Sequence, residues 1–114
     1  METIEAKKIT IFTCEERRHN HRPLYEAVME ELKRAGIAGA TVTRGIAGFG
    51  RDRAISTIKI EVLSFNLPIT IEATDAAEKI DSVLPAIAEM QQGGVIEVMP
   101  VQIIRKQAET TGNQ

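Results

Sequence analysis

The 114 residues make one domain's worth of chain and too little for two ordinary ones. Hydrophobic residues at 43% and charged residues at 26% exclude a disordered chain. No apolar run approaches the roughly 20 residues that cross a bilayer, and sixteen Asp+Glu against fourteen Lys+Arg exclude bulk attraction to nucleic acid.

The charge is unevenly spread. Arg17 to Lys59 holds nine basic and four acidic residues, whereas Ile60 to Gln114 holds three basic and eight acidic. Such poles steer a small anion to the first segment or set subunits against each other; the plainer reading is an ordinary solvated surface. Cys14 is the only cysteine, so no internal disulfide forms. The first eight residues lack the basic start and apolar stretch of a signal peptide, and a cytoplasmic location is expected.

In chain order, Lys8-Ile9-Thr10-Ile11-Phe12-Thr13-Cys14 alternates and is β-branched, which predicts a strand. Glu15 to Arg22 is a polar connection. Pro23 suits a first helical turn, with Asn20 or His21 available as cap. Leu24, Tyr25, Val28, Leu32 and Ala35 recur at helical spacing up to a stop at Gly36. Gly39 to Ile46 reads as a strand and runs into a glycine-rich corner, Ala47-Gly48-Phe49-Gly50-Arg51. Ser56 to Val62 alternates and extends an arm; Ile69 to Thr74 is another strand.

Asp75 followed by Glu78 predicts a capped second helix with a stripe of Ile80, Val83, Leu84, Ile87 and Met90. Pro85 inside it predicts a kink or restart near Ser82–Pro85. Gly93-Gly94 ends the helix, and Val95 to Arg105 closes the fold as a strand in which Pro100 marks a bulge or an edge. The order β-α-β-(β)-β-α-β, with one apolar stripe per helix, predicts an α+β ferredoxin-like β-α-β-β-α-β sandwich with both helices on one sheet face. Residues 1–106 form this single domain, and 107–114 a frayed tail. Strand residues on both sides are read as largely apolar, so a second subunit is expected to cover the other face.

The strongest chemical signal is the corner from Gly45 to Arg53. Its glycines let backbone N–H groups approach an anion, and Arg44, Arg51 and Arg53 add fork-shaped donors. A plain turn is the other reading of the same residues. Gly93 and Gly94 form a second corner, whose plain reading is a helix end. Cys14, His19 and His21 are candidate metal ligands, although Arg17, Arg18 and Arg22 surround them. The carboxylate pairs Glu15-Glu16 and Glu30-Glu31 fall on polar loop or helix surface, so no acid/base set emerges and an enzyme is not expected.

Pro23-Leu24-Tyr25-Glu26-Ala27, the run from Ala35 to Gly50, Leu67 to Glu72 and Asp75 to Ile80 together resemble a little-characterised bacterial PII-like family, over about Ile9 to Arg105. The resemblance implies a homotrimer with ligand clefts between subunits and a mobile arm, residues 52–65, that relays ligand state to a partner protein. Candidate partners include a membrane transporter, and nucleic acid is not among them. It implies a signalling role and a small anionic ligand, with an adenine nucleotide as the leading candidate and no other cofactor. Gly48, Phe49, Gly50 and Arg51 match the superfamily's motif at the arm's base, and Arg105 corresponds loosely to a phosphate-contacting residue on the last strand. The chain departs from PII proteins themselves at Asp52, where they carry Gln, and at Gly93-Gly94-Val95, which lacks their phosphate-binding Lys. A metal-binding trimer and a ligand-free docking trimer are the alternatives.

Overall fold

A computed structural model of the chain describes residues 1–50, the backbone of 56–57, and 66–106. Arg51, Arg53, most of the expected arm and the expected tail therefore lie outside the described residues. Strand β1 (Glu2–Cys14) is followed by a two-residue hairpin, β2 (Arg18–His19) and β3 (Arg22–Pro23), and then by helix α1 (Leu24–Arg34). Next come β4 (Ala40–Arg44), the short pair β5 (Ala47–Gly48) and β6 (Ser56–Thr57), β7 (Pro68–Ala76), α2 (Ala77–Gln91) and β8 (Ile96–Arg105). The main sheet has the order β4-β7-β1-β8, and its described pairings are antiparallel. This is the ferredoxin-like arrangement that the order of elements predicts.

Alternation in the central strands builds the core. Ile9 and Ile11 face Ala73 and Ile71 across the β1–β7 ladder, and all four are buried. Burying one such isoleucine contributes about 1.5–3 kcal/mol. On the same side α1 buries Leu24, Ala27, Val28 and Leu32, and α2 buries Ile80, Val83, Ile87 and Gln91, each at i, i+3/i+4 spacing. Lys7 Nζ pairs with Asp81 at 2.7 Å, tying β1 to α2 at the margin of this core.

Helix α1 stops as expected. Gly36 has φ +84°, its N–H donates to the Lys33 carbonyl at 3.1 Å, and the Ile37 N–H donates to the Leu32 carbonyl at 3.1 Å. These are the two bonds of a Schellman motif, whose left-handed residue favours glycine.

Other local expectations are corrected. Asn20 and His21 do not cap α1; with φ 51° and 68° they form the tight turn between β2 and β3. A two-residue hairpin turn of this kind needs positive φ at both positions, which asparagine tolerates well. Asp75 does not cap α2 either. It sits in β7 opposite Lys7, and its carboxylate accepts the Ala38 N–H at 2.9 Å and the Ala76 N–H at 2.7 Å. Pro85 causes no restart, since α2 is continuous from Ala77 to Gln91. Pro85 and Asp81, whose carbonyl loses its helical donor, are both exposed, so water can satisfy that carbonyl. Pro100 lies on an edge strand without a bulge, because the β1–β8 register is unbroken from Glu2↔Arg105 to Ile11↔Ile96.

The face of the sheet away from the helices is not the apolar slab expected. Register places Lys8, Thr10, Thr70, Glu72, Thr74, Thr41, Thr43 and Glu97 on it, with Lys8 and Glu72 paired at 3.1 Å. Apolar residues there are Phe12, Met99, the buried Ala6 with Ala76 opposite it, and, toward the far end of the β1–β8 ribbon, Ile4, Val101 and Ile103. Threonines supply β-branching without a continuous apolar surface, which is why β-propensity alone misreads this face.

Candidate functional site

The antiparallel order gathers four chain reversals at one end of the sheet, where β1 and β4 end and β7 and β8 begin. The first glycine corner leaves β4 there. Gly45 donates its N–H to the Pro68 carbonyl at 2.8 Å, and its missing Cβ would lie 3.0 Å from Pro68 Cγ. At Gly48, which pairs with Ser56 in the β5–β6 ladder, the corresponding distance is 2.7 Å. Gly48 is therefore required by close packing on the Pro68 ring, and Gly45 sits tightly against the same ring. Gly50 has open space around it, and Phe49 is 61% exposed.

Glu15 organises the neighbouring turn. It exchanges backbone and side-chain bonds with Leu67, at 3.0 and 3.3 Å, and its Oε2 accepts Arg44 Nη1 at 3.1 Å. The Arg44 side chain is more than half exposed. An exposed pair of this kind contributes about 0–1 kcal/mol, so it offers little resistance to an anion competing for the guanidinium.

The second corner closes α2 on the opposite edge. Gln92 and Gly93 take φ 46° and 85°, and the Gly94 N–H donates to the Gln91 carbonyl at 3.1 Å. Gln91 is buried, and its Nε2 donates to the Phe12 carbonyl at 2.7 Å and the Val95 carbonyl at 3.2 Å. Facing two acceptors fixes the amide with its NH2 group inward. Arg17 Nη2 donates to the Gln91 carbonyl at 2.6 Å. Gln91, Arg17, Glu15 and Pro68 are absent from the sequence-predicted set. For Gln91 a signal existed: it continues the buried stripe of Ile80, Val83 and Ile87 by four residues.

Of the predicted residues, Arg44, Gly48, Phe49 and Gly50 stand together at the β4 edge, and Gly93 and Gly94 at the β8 edge. Gly48 packs on Pro68 at the start of β7, and Pro68 lies opposite Cys14 of β1, so the end of β1 stands between the two corners. Arg105 joins neither. It lies at the other end of β8, about 30 Å from Ile96 along an extended strand, where its Nε donates to Glu2 at 2.9 Å. The metal candidates do not assemble: among the described residues no three or more His, Cys, Asp or Glu side chains are grouped to hold an ion. The His19 ring nitrogen Nε2 lies 3.4 Å from Asn20 Nδ2.

The hydrogen bond from Arg22, at 2.7 Å, holds Glu30 below the usual carboxylate range. Burial pushes the Asp75 carboxyl up, but the Ala76 and Ala38 N–H groups and the Lys79 ammonium outweigh it and leave it low. Two hollows of about 360 Å³ each run along α1 and β4, sharing Met29 and Glu30, and are not part of either corner.

Residues 6–103 match the model of the DUF190 family, described as "Uncharacterized ACR, COG1993". A UPF0166 protein of Aquifex aeolicus is 35% identical over 104 residues, covering 91% of this chain and 98% of that one. Among solved structures, CPII from Thiomonas intermedia K12, a nitrogen regulatory PII-like protein bound to ADP, AMP and bicarbonate, superposes with a TM-score of 0.62 at 20% identity, covering 93% of this chain and all of that one. Arabidopsis thaliana PII bound to citrate gives a TM-score of 0.55 at 24% identity, covering 86% and 78%. The chain belongs to the DUF190 (UPF0166) family, and its fold is that of PII-like proteins.

Proposed function

We propose that this DUF190 protein is a non-enzymatic, cytoplasmic PII-like sensor. It binds a small anion, an adenine nucleotide first among the candidates, in clefts between the subunits of a homotrimer. The observation that carries this reading is the placement of the two glycine corners at one end of the sheet but on opposite edges. In this reading each pocket takes one corner from each of two subunits. Arg105, remote from both corners in its own chain, could join such a pocket only from a neighbour.

The PII-like fold supports the reading, as do the ADP, AMP and bicarbonate in the CPII structure and the citrate in the plant one. The arm leaving β5 would differ between free and bound states, and a partner protein would read that difference. Such a relay requires the ligand to bind one arm state more tightly than the other.

Calorimetry with ADP, AMP, ATP, bicarbonate and citrate tests the binding reading. Saturable binding that falls sharply in Arg51→Ala is expected, together with a trimer mass by light scattering. Indifference to every ligand in the panel, or a stable monomer at micromolar concentration, would reject it.

A further inference from the structure

The second glycine corner carries no cation of its own: Gly93, Gly94, Val95 and Ile96 follow Gln92 directly. A cation reaches it from another part of the chain. We infer that Arg17, on the turn after β1, is the anion-contacting side chain of this corner, held against Gly94 by the end of α2. The inference deepens the proposed function and rests on it.

Three observations point the same way. First, Arg17 Nη1 lies 2.9 Å from where a Cβ on Gly94 would stand, just beyond the Gln91 amide at 2.6 and 2.8 Å, so the bare backbone at Gly94 lets both side chains lie against the turn. Second, the guanidinium is fixed. The Arg17 N–H donates to the Cys14 carbonyl at 3.3 Å, its carbonyl accepts the Leu24 N–H at 2.8 Å, and Nη2 donates to the Gln91 carbonyl at 2.6 Å. One arm of the fork is thereby spent on the carboxyl end of α2, where a cation is favoured, and the other is left beside the corner. Third, Arg22, Arg34, Arg44 and Arg105 each pair with a carboxylate, whereas among the described residues none lies within ion-pair distance of Arg17 or of the more exposed Arg18. A half-buried guanidinium without a counter-charge, aimed at a glycine turn with exposed backbone, suits a phosphate or carboxylate oxygen.

Holding the end of α2 is a structural role that the same contact would also serve, so the test must separate the two. ADP and adenosine are titrated calorimetrically into the whole protein and into Arg17→Gln and Arg17→Lys, with the unliganded melting midpoint and elution volume recorded. Loss of one charge-assisted contact predicts about a tenfold to hundredfold weaker ADP affinity in Arg17→Gln. Arg17→Lys should fall in between, and adenosine binding should not change. Equal ADP affinity in Arg17→Gln, or equal losses for ADP and adenosine, would overturn the assignment. If Arg17→Gln does not fold, Arg17→Lys decides: a severalfold loss at unchanged melting midpoint supports it, and parental affinity overturns it. Failure of the parent protein to bind ADP would instead defeat the nucleotide reading itself, and this assignment with it.

Discussion

Replacing Gly48 by alanine places a methyl carbon 2.7 Å from Pro68 Cγ. Carbon atoms rest at about 3.5–4.0 Å, so the overlap is about 0.8 Å or more. A flexible side chain would swing away, but a proline ring cannot. Pro68 is also held by its ladder position opposite Cys14 and by the Gly45 N–H on its carbonyl. The backbone must therefore shift, and overpacking of this kind costs about 1–3 kcal/mol. At about 4 °C per kcal/mol for a domain of this size, the melting midpoint should fall by about 4–12 °C. Gly50→Ala, with open space around the added carbon, should stay within about 0.5 kcal/mol. Pro68→Ala deletes the clashing atom, so the Gly48→Ala/Pro68→Ala pair should show a favourable coupling above about 0.5 kcal/mol in a double-mutant cycle. Urea unfolding at fixed protein concentration measures the parent and all four variants. A neutral Gly48→Ala, or a cycle with no coupling, would refute the claim that this corner is wedged on Pro68.

Asp75→Ala should cost about 1.5–3 kcal/mol near neutral pH, because the carboxylate accepts two backbone N–H bonds. Since the folded carboxyl titrates below its ordinary value, protons favour the unfolded chain; the contribution is full above about pH 4 and is lost as pH falls through the folded value. The parent and variant unfolding curves should therefore converge in acid, and a gap that persists at pH 2 would contradict this. Gln91→Leu should destabilise by about 1–3 kcal/mol, read by urea midpoint, since it strips the donor from the Phe12 and Val95 carbonyls. Pro85→Ala should stabilise by about 1–3 kcal/mol in the same assay, as an exposed helical position regains its hydrogen bond; a loss would mean that Pro85 is a packing surface.

The periodic apolar residues made most of the architecture legible. Leu24, Val28 and Leu32 mark one helix, Ile80, Val83 and Ile87 the other, and Ile9, Ile11 and Ile71 the sheet on which both pack. Gly36 was readable because a left-handed helix stop has a strong glycine preference. What could not be read depends on partners distant in sequence. Asp75 looks like a cap until strand pairing with Lys7 holds it extended and brings Ala38 to it. Asn20 offers the same side chain to a cap or a tight turn, and the β2–β3 pairing selects the turn. Alternation of Ile69, Ile71 and Ala73 with Thr70, Glu72 and Thr74 already sets threonine and charge on the far face of β7.

For the site, both glycine corners were visible in the sequence, but their support was not. Pro68 under Gly48, and Arg17 beside Gly94, are contacts across 20 and 77 residues that no motif spacing encodes. Arg105 shows the converse: a plausible motif position that the strand carries to the far end of its own chain.

A crystal structure of the assembled protein with ADP examines the shared pocket most directly. The account predicts phosphate oxygens touching the Gly48–Arg51 backbone of one subunit and the Gly93–Gly94 turn of its neighbour. Nucleotide held within a single subunit, or bound away from both turns, would contradict it.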